Sequence, residues 1–306
     1  MSTAFVFPGQ GSQSVGMLNG FADLAVVKAT IEEANTVLGF DLWSMIENGP
    51  QELLNQTINT QPAMLAAGVA TYRAWLQLGG ATPALMAGHS LGEYTALVAA
   101  GALSFADALQ LVRFRAEAMQ DAVAEGQGAM AAVLGLDDEP LIAACREAAQ
   151  GQVLEAVNFN SPGQVVIAGD KAAVERGIEA CKARGAKRAL LLPVSVPSHC
   201  ALMKPAAARL ADRLASVQID TPVVPVLHNA DVASHTDPAT IRDALVRQLY
   251  SPVRWVETIQ ALAARGVTLV AECGPGKVLA GLNKRIDGNL QSAALTDGAA
   301  LKALLG

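Results

Sequence analysis

Residues 84–100 read ALMAGHSLGEYTALVAA. The apolar run at 84–88 predicts a short buried strand, and a helix is predicted to begin at Leu91. His89 and Ser90 form the turn between them, within the pattern G-x-S-x-G of residues 88–92. A strand that passes through a tight turn into a helix is the repeating unit of an α/β protein, so this stretch predicts that fold class.

Ser90 is a candidate nucleophile because of this turn. Glycines on both sides let the backbone crowd together, and the serine hydroxyl is pushed out at the N-terminus of the helix. Unpaired N–H groups and the helix dipole there favour the oxyanion that forms when a serine attacks a thioester. The pattern is common, however, and Ser90 could instead be a plain helix cap between two turn glycines.

Strands and helices continue to alternate on both sides of this stretch. Strands are predicted at 3–7, 223–227 and 268–272, and helices at 105–124, 202–216, 239–250 and 253–265. This alternation predicts a large, mainly parallel α/β domain formed by residues 1–125 and 195–306.

Residues 126–194 follow a different order of elements. Strands are predicted at 129–134, 153–159, 165–168 and 189–194, helices at 138–149 and 171–184, and a turn at 160–163. The order βαββαβ is the ferredoxin-like arrangement, so we expect these residues to form a small inserted subdomain.

The composition bounds the possible functions. Of the 306 residues, 52% are hydrophobic and 16% charged, which supports a large core and excludes a disordered chain. The net charge is -6, so nucleic acid is not an expected partner. The four cysteines are far apart and predict free thiols rather than disulfides or a metal site. No apolar run reaches the about 20 residues of a membrane span, and the N-terminus does not resemble a signal peptide, so we expect a cytoplasmic protein that does not use the membrane.

A nucleophilic serine needs a base, and four histidines are available. His89 adjoins Ser90, but neighbours in a tight turn point apart. His235 lies in a predicted exposed loop. His199 and His228 each follow a predicted strand, and ligand sites of open α/β sheets gather at strand ends. The spacing favours His199 only slightly, and His228 could be a structural residue.

Arg115 lies beside the apolar stripe of the predicted helix at 105–124. Its neighbours one turn away are apolar, whereas Arg113 has Glu117 four residues on. A buried arginine needs an anion, which could be an acid from another element or a substrate carboxylate held by the guanidinium fork. Alternatively, the side chain could extend its charged end to water.

Two further features could serve a serine nucleophile. The loop PGQGSQ at 8–13 follows the first strand, and Ser14 stands where a dinucleotide fingerprint requires glycine. This loop predicts a close backbone approach with an N–H aimed at an oxyanion, or else an ordinary glycine turn. Gln248 lies near the C-terminus of the predicted helix at 239–250, where a free carbonyl could orient a histidine N–H.

The motifs occur together and in order: PGQGSQ at 8–13, GHSLGE at 88–93, Arg115, NSPGQ at 160–164, VPSH at 196–199 and Gln248. In this combination the chain resembles, over nearly its whole length, the malonyl-CoA:acyl carrier protein transacylases of bacterial fatty-acid synthesis. The resemblance implies an α/β-hydrolase-like core with a ferredoxin-like insert. It also implies that a malonyl group passes from malonyl-CoA, through a malonyl-serine, to the phosphopantetheine thiol of an acyl carrier protein, without a cofactor or a metal.

The same resemblance implies residue roles at the reacting centre. Ser90 is the implied nucleophile and His199 the implied base, oriented by the backbone carbonyl of Gln248. The backbone N–H groups of Gln10 and Leu91 are the implied oxyanion hole.

For the substrate, the resemblance implies that Arg115 holds the malonyl carboxylate and that Asn160 and Ser198 contribute contacts. In related polyketide acyltransferase domains, serine before the histidine often accompanies methylmalonyl. The stand-alone malonyl enzymes also resemble Val-Pro-Ser-His at this place, so malonyl remains the expected group.

Other functions compete with this one. A malonyl-transferring subunit of malonate decarboxylase and a polyketide-pathway acyltransferase would share the fold. A hydrolase would share the serine, but esterases have no use for a buried carboxylate clamp such as Arg115. A carrier-binding scaffold without activity would not need Ser90, His199 and Arg115 together.

Carrier proteins of this pathway are acidic, as the resemblance implies, and this chain is acidic too. We therefore expect docking through a local basic patch. The candidates are Lys182, Arg184, Lys187 and Arg188, and a second group of Lys284 and Arg285. For any single one of these charges, ordinary solvated surface is the favoured interpretation.

Overall fold

The computed structural model describes residues 2–194 and 196–305. The strands are β1 (Thr3–Phe7), β2 (Leu85–Gly88), β3 (Gly128–Leu134), β4 (Leu154–Ser161), β5 (Gln164–Asp170), β6 (Arg188–Leu191), β7 (Val226–Leu227), β8 (Leu269–Glu272) and β9 (Gln291–Ala294). The helices are α1 (Ala25–Leu38), α2 (Leu42–Asn48), α3 (Gln51–Leu54), α4 (Thr57–Gln77), α5 (Gly92–Ala99), α6 (Phe105–Ala122), α7 (Asp138–Ala149), α8 (Lys171–Ala183), α9 (Lys204–Ala215), α10 (Pro238–Gln248), α11 (Trp255–Ala264), α12 (Val278–Ile286) and α13 (Gly298–Leu305).

The first sheet is parallel throughout, in the order β7-β2-β1-β8-β9. β1 lies at its centre and is apolar because both of its faces are covered. Phe5 and Phe7 pack into one hydrophobic cluster, and Ala4 and Val6 into another. Phe7 pairs with Gly88, so the loop after β1 and the turn after β2 emerge side by side at the carboxyl end of the sheet.

The second sheet is antiparallel, in the order β4-β5-β3-β6. One face packs against α7 and α8 around Val133, Ile167 and Ile178. The other face carries Met130 and Val166, which share a hydrophobic cluster with the buried Cys200 from the segment after β6. The two sheets therefore meet around the residues that follow β6.

This arrangement confirms the predicted fold class, an α/β-hydrolase-like, mainly parallel core with an inserted ferredoxin-like βαββαβ subdomain. The second sheet lies inside residues 126–194, and the exact domain boundaries stay a prediction. Among the described residues, no helix is long and apolar enough to cross a membrane.

Some elements differ from the sequence prediction. The strand expected at 223–227 is shortened to β7, since Pro225 has no N–H for a ladder and Val223 is exposed. The turn expected at 160–163 is confined to Pro162 and Gly163, because β4 continues through Ser161. The last parallel strand, β9, and the helices α12 and α13 were not predicted.

Candidate active site

The turn at Ser90 is strained by the closeness of β2 and α5. Ser90 has a φ of 52°, in the left-handed region that residues with a side chain rarely adopt. A Cβ on Gly88 would lie 1.9 Å from the carbonyl carbon of Gly92, and one on Gly92 would lie 2.0 Å from the carbonyl oxygen of Phe7. Both positions therefore require glycine, and Ser90 is left at the wall of a cavity.

His199 meets Ser90 from the segment after β6. Its Nε2 lies 2.7 Å from the Ser90 Oγ, and its Nδ1 lies 2.8 Å from the backbone oxygen of Gln248. Because a carbonyl can only accept, the proton of the neutral ring is on Nδ1, and Nε2 presents its lone pair to the hydroxyl. The group that accepts a hydrogen bond from the base is thus a backbone carbonyl at the end of α10. In the usual catalytic triad this group is a carboxylate.

The environment of His199 keeps its ring neutral. Burial, followed by the positive charge of Arg115, lowers the pKa of His199 from 6.5 to about 3. A general base must be unprotonated to accept a proton, so His199 is in the competent state throughout the neutral pH range.

The side chain of Arg115 extends from α6 toward the Ser90 hydroxyl and is 1% exposed. Its Nη1 donates to the Gln61 side-chain oxygen at 2.8 Å, and its Nη2 donates to that of Gln248 at 3.0 Å. The Ser90 Oγ lies 3.5 Å from Nη2. Among the described residues no acid pairs with the guanidinium, and its Nε has no partner. A full positive charge is therefore buried beside Ser90, held by neutral amides.

Two backbone N–H groups border Ser90. The loop after β1 approaches the turn so closely that a Cβ on Gly9 would lie 2.5 Å from the carbonyl oxygen of His89. Gln10 and Leu91 both line the cavity with Ser90. Within residues 2–194 and 196–305, neither of their backbone N–H groups donates to a protein acceptor. Two unused donors beside a candidate nucleophile are compatible with the predicted oxyanion hole, which stays a prediction.

The cavity in front of Ser90 has a volume of about 120 Å³. Its apolar walls are Met119, Met130, Val166, Leu192 and Val194, which come from α6 and from the second sheet with its following segment. A groove of about 520 Å³ shares Gln10, Thr57, Leu192 and Val194 with the cavity and continues past Gly126 and Lys171. A long thin group could thus reach Ser90 from the surface between the two sheets.

The two remaining residues that were expected to contact the substrate, Ser198 and Asn160, lie in different places. Ser198 lines the cavity beside His199. Asn160 is not part of the cavity wall in the described residues; its Oδ1 lies 2.8 Å from Nε2 of His89, which packs on Trp255 with 5.4 Å between ring centroids. Burial lowers the pKa of His89, although the hydrogen bond to Asn160 opposes this. The structure thus places Asn160 against His89, and its predicted contact with the substrate stays a prediction.

The other histidines are structural. His228 is fully buried, and its Nδ1 lies 2.7 Å from a carboxylate oxygen of Glu93. His235 was expected on an exposed loop, but its side chain is only 19% exposed, since it stacks on His228 and bonds Asp231.

Three residues that support the site were missed by the sequence analysis. Asn229 bridges the turn, accepting from the Ser90 N–H at 2.7 Å and donating to the Gly88 carbonyl at 2.6 Å. Gln61 holds Arg115, and Glu93 is fully buried below the turn. Glu93 was detectable, because it is the one charged residue in the mainly apolar run 91–100.

The residues of the predicted basic patches differ in whether their charges are neutralised by ion pairs. Lys182 pairs with Glu179 at 2.8 Å, and Arg184 with Glu147 at 2.6 Å, so neither presents an uncompensated charge. Lys187 and Arg188 are exposed and form no ion pair within the described residues. In the second patch Lys284 is exposed, and Arg285 reaches across to Gln164 of β5 at 2.8 Å.

Comparisons with known proteins agree with this geometry. Residues 4–295 match the family described as the acyl transferase domain. The chain is 60% identical over 306 residues to the malonyl CoA-acyl carrier protein transacylase of Escherichia coli strain K12, covering 99% of this chain and 98% of that protein. It is similar to the crystal structure of an acyl-carrier-protein S-malonyltransferase from Burkholderia pseudomallei 1710b, with a TM-score of 0.98, 61% identity, and coverage of 100% of this chain and 99% of that one.

A second solved structure is a type II PKS acyl-carrier protein in complex with its malonyl-transacylase. It matches with a TM-score of 0.99 and 56% identity, covering 100% of this chain and 99% of that one.

Proposed function

The chain belongs to the acyl transferase domain family, and we propose that it transfers a malonyl group from malonyl-CoA to the phosphopantetheine thiol of an acyl carrier protein, supplying fatty-acid synthesis. One observation carries the choice of acyl group: the buried guanidinium of Arg115 lies 3.5 Å from the Ser90 hydroxyl, bonds the amides of Gln61 and Gln248, and has no acid partner among the described residues. A cationic fork beside a nucleophile suits an acyl group that ends in a carboxylate, as malonyl does and acetyl does not.

In the first half-reaction, Ser90 Oγ attacks the thioester carbon of malonyl-CoA while His199 Nε2 accepts the hydroxyl proton. The negative charge that develops on the thioester oxygen is stabilised by the N–H groups of Gln10 and Leu91. The Gln248 carbonyl stabilises the imidazolium by accepting from Nδ1. When the intermediate collapses, the C–S bond breaks, CoA leaves with the proton of His199, and malonyl remains as an ester on Ser90.

The second half-reaction reverses these roles with a different thiol. The carrier's phosphopantetheine thiol enters the cavity, His199 removes its proton, and the sulfur attacks the malonyl ester carbon. The same N–H groups hold the oxyanion, and Ser90 leaves as the alcohol after it regains a proton from His199. Arg115 holds the malonyl carboxylate through both halves, so the acyl carbon stays in place between them.

The direct test of this function is intact-mass measurement of the protein after mixing with malonyl-CoA. We expect one covalent malonyl group per chain, and its loss with regain of the original mass when a phosphopantetheinylated acyl carrier protein is added. A protein that keeps its original mass in malonyl-CoA would contradict the proposal.

The identity of the carrier is the one point at which a second function has support. A structurally similar malonyl-transacylase is known in complex with a type II PKS acyl-carrier protein. Comparing transfer to a fatty-acid carrier and to a polyketide carrier, with the same malonyl-loaded protein, distinguishes the two pathways. We propose the cytoplasm as the site of the reaction, since all four cysteines are buried free thiols, which suits a reducing compartment.

The low pKa of His199 predicts an unusual pH profile. Because the base is competent only when unprotonated, kcat/KM for acylation by malonyl-CoA should lose rate only as the pH falls toward the pKa of His199, about 3. We expect kcat/KM to vary less than about twofold between about pH 5 and pH 8, whereas a histidine titrating at its ordinary value would give a clear inflection within that range.

The pH profile of Arg115→Ala tests the cause of the low His199 pKa. The Arg115 charge is the second cause that lowers the pKa of His199, so its removal should move the acid limb to higher pH. An inflection near pH 6.5 in the wild-type protein would show that His199 is more solvated than its burial indicates, or that it is not the base.

The unpaired cations at the start of β6, Lys187 and Arg188, predict a docking role. The groove that leads to Ser90 is bordered by Leu191 of the edge strand β6, which begins at Arg188, and Lys187 directly precedes that strand. Reversing both charges with Lys187→Glu and Arg188→Glu should lower kcat/KM for transfer to the carrier by about tenfold at low salt. The difference from wild type should shrink as salt is added. Self-acylation from malonyl-CoA should stay within about twofold of wild type.

The control for this reversal is Arg265→Glu with Lys302→Glu, which changes the net charge equally. Arg265 follows α11 and Lys302 lies in the last turn of α13, both toward the opposite end of the parallel strands. Lys284→Glu with Arg285→Glu tests the second patch in the same way. Carrier transfer at the wild-type rate after reversal of both patches would exclude this docking model.

A further inference from the structure

Glu93 is a buried carboxylate that the reaction described above does not use. It lies in the first turn of α5, three residues after Ser90, and is 0% exposed. Its oxygens accept hydrogen bonds from His228 Nδ1 at 2.7 Å, the Asn229 N–H at 2.8 Å and Gln248 Nε2 at 2.9 Å. The Asn229 N–H and the Gln248 amide can only donate, and both bond one oxygen of Glu93. A protonated carboxyl would have to donate from its other oxygen to His228 Nδ1, which would move the ring proton to Nε2.

His228 does not cancel the charge of Glu93. Its Nδ1 faces the carboxylate, and its Nε2 is buried with no partner among the described residues. An imidazolium would leave an N–H unpaired at Nε2, whereas the neutral ring leaves only a lone pair there, which costs less. The favoured arrangement is therefore a neutral His228 that donates from Nδ1 to an anionic Glu93.

The side chain of Gln248 stands between this buried anion and the buried cation of Arg115. Its Nε2 donates to Glu93 and to the Ser90 carbonyl at 3.0 Å, and its Oε1 accepts from Arg115 Nη2 at 3.0 Å. Only one orientation of the amide satisfies these contacts. If the amide were flipped, its NH₂ group would face the guanidinium and its oxygen would face the carboxylate.

We propose that Glu93 is a positioning residue for the recognition of the acyl carboxylate, an inference that rests on the proposed malonyl transfer. Its charge fixes the orientation of the Gln248 amide, and that amide in turn holds the guanidinium of Arg115 toward Ser90. Glu93 offsets the buried positive charge through one intervening amide rather than by direct contact. The guanidinium is thus kept charged and in place, while no carboxylate within residues 2–194 and 196–305 competes with the substrate for its fork.

The role predicts a selective defect in Glu93→Gln, which keeps the size of the side chain and removes its charge. The readout is the ratio of kcat/KM for self-acylation by malonyl-CoA to that by acetyl-CoA, because acetyl makes no use of Arg115. We expect this malonyl preference to fall by about tenfold, as couplings within one hydrogen-bond network allow. In an Arg115→Ala background, Glu93→Gln should change the ratio less than about twofold.

If Glu93 had only a structural role, Glu93→Gln would lower kcat/KM for malonyl-CoA and for acetyl-CoA equally, and their ratio would stay unchanged. Glu272→Gln is the control, since Glu272 is also fully buried at the carboxyl end of a parallel strand, where it accepts from the Ala280 N–H at 2.8 Å, away from the cavity. Burial raises the pKa of Glu272 to about 7, so the variants are compared above about pH 8, where Glu272 is ionised. Glu272→Gln should keep the wild-type ratio. If Glu93→Gln does not fold, Gln248→Met cuts the same bridge with the Glu93 charge retained, and it should show the same fall.

Two results would overturn the inference separately from the proposed function. A wild-type protein that loads malonyl, combined with an unchanged preference in Glu93→Gln or Gln248→Met, would remove Glu93 from substrate selection. An equal fall of the ratio in the presence and absence of Arg115 would show that Glu93 acts by another route. A wild-type protein that forms no malonyl adduct would overturn the proposed function and this inference with it.

Discussion

Ser90→Ala is expected to abolish the malonyl adduct that intact-mass measurement detects in the wild-type protein. The variant keeps the Cβ and the turn, and it removes only the oxygen that lies 2.7 Å from His199 Nε2. The donors at Gln10 and Leu91 and the fork of Arg115 remain, so malonyl-CoA should still bind. Turnover to the carrier should fall by at least about 10⁴-fold, because the remaining groups polarise the thioester but have no nucleophile to offer it.

Ser292→Ala is a suitable control for this variant. Ser292 is a half-buried serine on β9 whose hydroxyl donates to the Ala280 carbonyl at 3.1 Å, and it lies outside the cavity. It should load malonyl as the wild type does, and the modified wild-type peptide should map to residues 84–100. Adduct formation by Ser90→Ala at the wild-type level would place the nucleophile elsewhere.

The sequence predicted those parts of the molecule that depend on local pattern. The turn at Ser90 is an example, because glycines at 88 and 92 are needed wherever a strand and a helix approach this closely. The βαββαβ unit is another, since each of its elements has its own periodicity. By contrast, β9 is short and only half-buried, and it is defined mainly by its pairing with β8, so its apolar pattern was too weak to recognise.

The supporting residues of the site could not be derived from local pattern. Glu93 bonds to His228 and Gln248 across 135 and 155 positions of the chain, and Ser90 bonds to Asn229 across 139. No spacing rule connects residues that far apart, because their contact depends on the order of strands in the finished sheet. The choice between His199 and His228 as the base also depends on the finished fold, because both residues follow strands in the sequence. In the structure His228 lies behind the turn and bonds Glu93, whereas His199 faces Ser90.

Arg115→Ala is expected to cause the largest change in substrate preference. The buried guanidinium lies 3.5 Å from the Ser90 hydroxyl and has no acid to neutralise it in the described part of the chain, so a malonyl carboxylate gains an ion pair in a site shielded from water. Removing it should lower kcat/KM for malonyl-CoA by on the order of 10²–10³-fold, as expected for the loss of a buried charged partner. Acetyl-CoA should lose little or even gain, because acetyl forms no such pair.

Lysine should be a poor substitute at this position. Arg115 spans Gln61 and Gln248 with its two Nη atoms while leaving Nε unpaired, and a single ammonium cannot reproduce that planar arrangement. Arg113→Ala is the matched control: this arginine lies two residues away on the same helix, but it is partly exposed and pairs with Glu117. It should leave both rates near the wild-type values. If Arg115→Ala kept the wild-type preference for malonyl over acetyl, the carboxylate would have to bind elsewhere in the cavity, and the unpaired cation beside Ser90 would need another explanation.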